Sequence, residues 1–78
     1  MKPTYEELDD LCEKMIEFTA YKKGHHSVQV HGLLTFVHED FIVVKTKDDT
    51  LYVNRRDIED LREMTISDIE KYGKVDDE

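Results

Sequence analysis

Seventy-eight residues with a formal net charge of -8 make one small acidic domain, whose short chain withdraws only about 60% of its unfolded surface from water and so has a small core that oligomerisation would supplement. A single cysteine, Cys12, excludes an internal disulfide. The start, MKPTYEELDD, has no apolar leader, and the longest aliphatic or aromatic run, FIVV at 41–44, falls far short of the roughly 18–20 residues that span a bilayer, so the expectation is a cytoplasmic protein without a membrane partner.

The first predicted element is a helix over about residues 4–15. TYEE at 4–7 has the form of a capping box, in which the Thr4 hydroxyl takes the Glu7 backbone N–H and Glu7 reaches back to Thr4. Glu6, Glu7, Asp9 and Asp10 crowd the first turns, where the helix dipole favours negative charge, and Leu8, Leu11, Cys12, Met15 and Ile16 make one apolar stripe. Residues 15–22 read equally as more helix or as a first strand. From Gly24 to His38 there is no Lys, Arg, Asp or Glu, and Val28, Val30, Leu34 and Phe36 share one parity around Gly32. That is strand alternation, with a glycine where a strand bends or bulges.

HED then turns the chain into FIVVKTK, apolar on both parities at first, as in a central strand. KDDT makes the next turn, TLYVN is a short strand with Leu51 and Val53 inward, RRD is a tight connection, and Ile58 and Leu61 close the sheet. Thr65 or Ser67 caps a second helix over about 65–72, which Gly73 stops, and residues 74–78 form an acidic tail. The fold class is therefore α+β, mainly β. Residues 1–73 form a single domain in which an N-terminal helix precedes a small, strongly bent five-strand antiparallel barrel, closed because closure removes exposed edges, with a short C-terminal helix.

This order, with the pattern VQVHGLLTFVHEDFIVVK…LYVNRRDIEDL, resembles the Sm-like (SH3-like) small β-barrels, and the Hfq-like RNA chaperones among them. The resemblance covers roughly residues 5–62. Gly32 matches the glycine of the family's second strand, Glu39 and Asp40 its acidic turn, Phe41 the aromatic that follows, Arg55 and Arg56 its basic two-residue turn, and Ile58 the next aliphatic. It implies a ring-shaped homo-oligomer in which Phe41 and the basic pair line a central pore and bind uridine-rich single strands, the aromatic by stacking.

The residues themselves leave alternatives open. Arg55 and Arg56, with Asn54 beside them, can hold a phosphate or stack on a base, or can be exposed turn residues pairing with Asp57, Glu59 or Asp60. Phe41, Tyr21 and Tyr52 are candidate stacking platforms; Phe41 also reads as core, while Tyr52 lies opposite in parity to Leu51 and Val53. The charge is uneven: residues 1–20 and 57–78 are acidic, and 21–56 are mildly basic and hold all four histidines. A second function follows from those acidic ends, a protein-interaction module such as a phage-type inhibitor or nucleic-acid mimic. It would bind a basic protein partner through Glu6, Asp9, Asp10, Glu13 and Glu17 along the exposed side of helix one. His25, His26, His31 and His38 lack ligand spacing, and no phosphate loop or nucleophile motif is present, so no metal, cofactor or enzymatic activity is expected.

Overall fold

The structure is a computed structural model that describes residues 2–21 and 26–73. Gly24, His25 and the expected acidic tail at 74–78 lie outside the described residues. Helix α1 (Tyr5–Asp10) starts with the expected capping box: the Glu7 N–H donates to Thr4 Oγ1 at 3.2 Å, and the Thr4 N–H donates to Glu7 Oε1 at 3.3 Å. It ends well short of residue 15. The N–H groups of Leu11 and Cys12 reach back to the carbonyls of Leu8 and Asp9, and Glu13 adopts a φ of 69°, which reverses the chain. The Glu13 N–H then donates to the Leu34 carbonyl at 2.7 Å, so sheet pairing captures the chain before the helix can lengthen. The next residues, MIEFTAY, are the aromatic and β-branched kind that suits a pleated surface, and a helix this short has little stability of its own. The expected stripe is divided between two elements, yet Leu8 and Ile16 are both fully buried in one core.

Strands β1 (Met15–Tyr21), β2 (Ser27–Val37), β3 (Phe41–Lys45), β4 (Thr50–Asn54) and β5 (Ile58–Glu63) form one antiparallel sheet in the order β4-β3-β2-β1-β5. A 3₁₀ turn at Arg55–Asp57 joins β4 to β5, which stand at opposite ends of that order. The chain from Asn54 to Ile58 can span at most about 14 Å, so the sheet must curl sharply to bring its two ends to that corner. The expected barrel closure does not occur. All of the register of β5 is with β1, and β4 pairs only with β3, because the turn carries the chain away from β4 before β5 begins. The fold is an open five-strand sheet with two short helices, α+β and mainly β. Among the described residues, no helix is long and apolar enough to cross a membrane.

Gly32 is required by a close approach. A Cβ there would lie 2.7 Å from the Lys45 carbonyl oxygen and 2.7 Å from Val44 Cγ1. The bulge falls three residues later, where Leu34 faces Val44 and Phe36 faces Val43, leaving Thr35 unmatched. The Thr35 hydroxyl donates to the Val43 carbonyl at 3.2 Å. This extra residue reverses the parity read from the sequence: Leu34 is fully buried, while Phe36 is 51% exposed.

The inner face of the sheet holds the core of Ile16, Phe18, Val30, Leu34, Ile42, Val44 and Ile58, with Leu8 of α1 against it. Helix α2 (Ile66–Tyr72), capped by Thr65 and Asp68, covers part of the other face, where Met15, Met64, Leu33 and Ile69 make a second, smaller cluster. The Tyr72 ring stacks on His31 at 4.0 Å between centroids, and Arg62 Nη1 lies 2.9 Å from Asp68 Oδ2.

Candidate nucleic-acid interface

In β3, Ile42 and Val44 point into the core, so Phe41 and Val43 face outward. Across the β3–β4 register, Val43 pairs with Tyr52 and Phe41 with Asn54, which places Tyr52 and Asn54 on the same outer face. The bulge adds Phe36 opposite Val43. Phe36 and Tyr52 each lie 6.3 Å from Phe41, ring centroid to centroid, and His38 stacks on Phe41 at 4.8 Å. Phe36, 51% exposed, and Tyr52, 74% exposed, flank the half-buried Phe41. The result is a ladder of aromatic rings open to solvent across three strands.

The sequence pointed to Phe41 and Tyr52 as platforms and missed Phe36 and His38. Nothing in the local pattern marks the bulge that turns Phe36 out. Tyr21, at the end of β1, is not part of this ladder; Lys2 Nζ lies 5.7 Å from its ring centroid, and it lines a second hollow of about 270 Å³ with Tyr52 and Asn54.

The basic turn sits at the same end of the sheet. The Arg55 N–H donates to the Asp40 carbonyl at 2.9 Å, which pins the 3₁₀ turn to the start of β3. Among the described residues, neither guanidinium forms an ion pair, with Asp57, Glu59 and Asp60 or with any other carboxylate. Glu59 pairs instead with Lys2 at 3.0 Å, and Lys2 holds the Glu59 carboxyl below its ordinary value. Arg55 and Arg56 line a hollow of about 520 Å³ together with Lys2, Glu6, Glu39 and Asp40. Its charge is mixed, three cations and three carboxylates, where the sequence suggested a purely basic turn. Phe41 and Asn54 lie beside this hollow, on the outer face of the sheet.

The acidic face expected along helix one is interrupted. Glu6, Asp9 and Asp10 are exposed on α1, and Glu13 is exposed in the turn after it. Glu17 lies on β1, is 8% exposed, pairs with Arg62, and has its Oε2 3.0 Å from His31 Nε2. It leaves the row because the helix ends before it. Arg62 continues to Asp68, whose carboxyl is lowered to about 2 by the Thr65 backbone N–H and by Arg62. His31 and His38 serve these two separate clusters, and no described group of three or more His, Cys, Asp or Glu residues is placed to hold a metal ion. Comparison with protein-family models, curated protein sequences and solved structures finds no match to this chain.

Proposed function

We propose that this protein binds single-stranded RNA or a nucleotide, without catalysis, through the aromatic ladder and the basic turn. The observation that carries this reading is the juxtaposition of Phe36, Phe41 and Tyr52, open to solvent, with the turn that carries Arg55 and Arg56, whose guanidiniums form no ion pair among the described residues. Exposed rings stack on bases of any sequence, and free guanidiniums take phosphate in a fork-like geometry. Large exposed aromatics side by side are otherwise disfavoured on a small soluble domain. Asn54, paired in register with Phe41, adds a neutral donor and acceptor at the junction.

The assembly in this reading is a Sm-like homo-oligomer. Its support is the pair of free sheet edges, β4 and β5, where a strand of one copy can add to the opposite edge of the next. A ring would repeat the basic turn around its centre. The test is fluorescence anisotropy with a labelled uridine-rich single-stranded RNA, together with native mass spectrometry of the untagged protein. Arg55→Glu with Arg56→Glu is expected to abolish binding, and wild-type affinity is expected to fall linearly with log salt concentration. Unchanged binding by the double variant would refute the reading.

A second reading, an acidic face for a basic protein partner, rests on Glu6, Asp9, Asp10 and Glu13, exposed and without ion pairs among the described residues. Charge reversal of Asp9, Asp10 and Glu13, none of which lines the hollow, leaves RNA binding intact under the first reading and destroys partner binding under the second.

A further inference from the structure

We propose that the hollow beside the basic turn reads a guanine base, with the Asp40 carboxylate on the base edge and Arg55 and Arg56 on the adjoining phosphate. This rests on the nucleotide-binding reading above and names the base at that same site. Six charged groups of both signs line the hollow: Lys2, Glu6, Glu39, Asp40, Arg55 and Arg56. Among the described residues no carboxylate of this set pairs with either guanidinium, so both signs of charge are open to a ligand in one concavity. Its volume of about 520 Å³ falls within the range of about 300–1,000 Å³ typical of small-molecule sites.

That arrangement selects a ligand. A bare anion meets three carboxylates, and a bare cation meets two guanidiniums and the Lys2 ammonium. The fitting partner has hydrogen-bond donors at one end and negative charge at the other. A carboxylate is acceptor-only and accepts best from two parallel donors. Guanine offers adjacent N1–H and N2–H donors on its Watson–Crick edge. Uracil sets its single N3–H between two carbonyl oxygens. Adenine and cytosine set their amino groups beside an unprotonated ring nitrogen, and those acceptors would face the carboxylate.

Of the three carboxylates, Asp40 is the one whose backbone is bonded directly to the basic turn. Its N–H donates to His38 Nδ1 at 3.1 Å, and its carbonyl accepts from the Arg55 N–H at 2.9 Å. Its side chain is 85% exposed, and its charge contact among the described residues is His38 Nδ1 at 4.0 Å, which leaves its oxygens open to a ligand. The same carbonyl bond fixes the spacing between the base reader and the first phosphate-binding guanidinium.

The experiment is anisotropy on the full chain with three labelled heptaribonucleotides: all uridine, a central guanosine, and a central inosine, which lacks the N2 amine. The guanosine oligomer is expected to bind at least about fivefold more tightly than the all-uridine one, as one bidentate contact warrants, and inosine is expected to fall back toward uridine. Asp40→Asn and Asp40→Ala bring the guanosine-to-uridine ratio to one, while Asp48→Asn on the β3–β4 turn leaves it unchanged. Guanosine monophosphate displaces the oligomer, and uridine monophosphate at the same concentration does not. Equal affinities for all three oligomers, or a preference that survives both Asp40 variants, would overturn the guanine assignment and leave the binding reading in place. Failure of every oligomer to bind at low salt would overturn both.

Discussion

Phe18 and Phe36 are the same residue type on one curled sheet, and the structure gives them opposite roles. Phe18 is fully buried, and Phe36 is 51% exposed beyond the bulge at Thr35. Phe18→Ala removes a complete core ring and leaves a cavity, at a cost of about 3–5 kcal/mol. A chain of this length has a total stability of about 4–12 kcal/mol, so that loss consumes much of it. Phe36→Ala exposes nothing new to a void and forfeits about half the transfer energy of one ring, about 1 kcal/mol. At roughly 4–8 °C per kcal/mol for a domain of this size, Phe36→Ala lowers Tm by roughly 4–8 °C. Phe18→Ala lowers it several times further. The order reverses for ligand binding, because loss of a stacking platform weakens a single-stranded RNA by about 1–3 kcal/mol, or about 5- to 150-fold. Circular dichroism melts and RNA anisotropy on both variants provide the assay. If Phe36→Ala unfolds the protein as readily as Phe18→Ala, the ring is in the core, the parity change at the bulge is wrong, and the ladder loses a member.

Two further perturbations test other parts of the structure. Gly32→Ala drives a Cβ to 2.7 Å from a backbone carbonyl oxygen and is expected to destabilise the domain by about 1–3 kcal/mol, read as a shift in the urea midpoint; a neutral result would refute the close approach of β2 and β3. The Asp68 carboxyl, lowered from 3.8 to about 2 first by the Thr65 backbone N–H and then by Arg62, contributes its full share to the capping and docking of α2 above pH 3.8, and that share is lost as the pH falls from there through about 2. The NMR shifts of the Tyr72 ring over His31 follow the docking, and Asp68→Asn is expected to remove the acid-range step; a step that persists in the variant belongs to another carboxylate.

Much of this fold is legible in the sequence because its signals are local. The capping box at Thr4, a cap for α2 at Thr65 or Ser67, the uncharged run into β2, the aromatic-aliphatic β3 and the stop at Gly73 each depend on neighbours a few residues away; the structure selects Thr65. The length of α1 was not legible, since Leu8 to Ile16 satisfies helical spacing while a single residue, Glu13 at φ 69°, diverts the chain into β1. Glu17 was misplaced for the same reason: a helix projected through it becomes a strand that buries it against Arg62 and His31. The basic turn was visible as a dipeptide. Its acidic neighbours Glu6, Glu39 and Asp40 come from two other parts of the chain, and only the curl of the sheet brings them to Arg55 and Arg56. Phe36 was lost to a one-residue bulge, which alternation alone does not signal.

The strand order also has a kinetic consequence. β2, β3 and β4 each pair with the strand just before or after them in the chain, whereas β1 must find β5 about half the chain length away. Closing that long loop costs more entropy than forming any of the hairpins, and it gains less until β1 is already seated on β2. The β1–β5 seam is therefore the last to zip, and the 3₁₀ turn is held at both ends only when it does. A chain stalled one step short would carry its aromatic ladder, built wholly on β2, β3 and β4, while the turn that carries its two arginines was held only at its Arg55 end. Recognition by stacking matures with the local hairpins, and recognition by charge only with the final long-range seam.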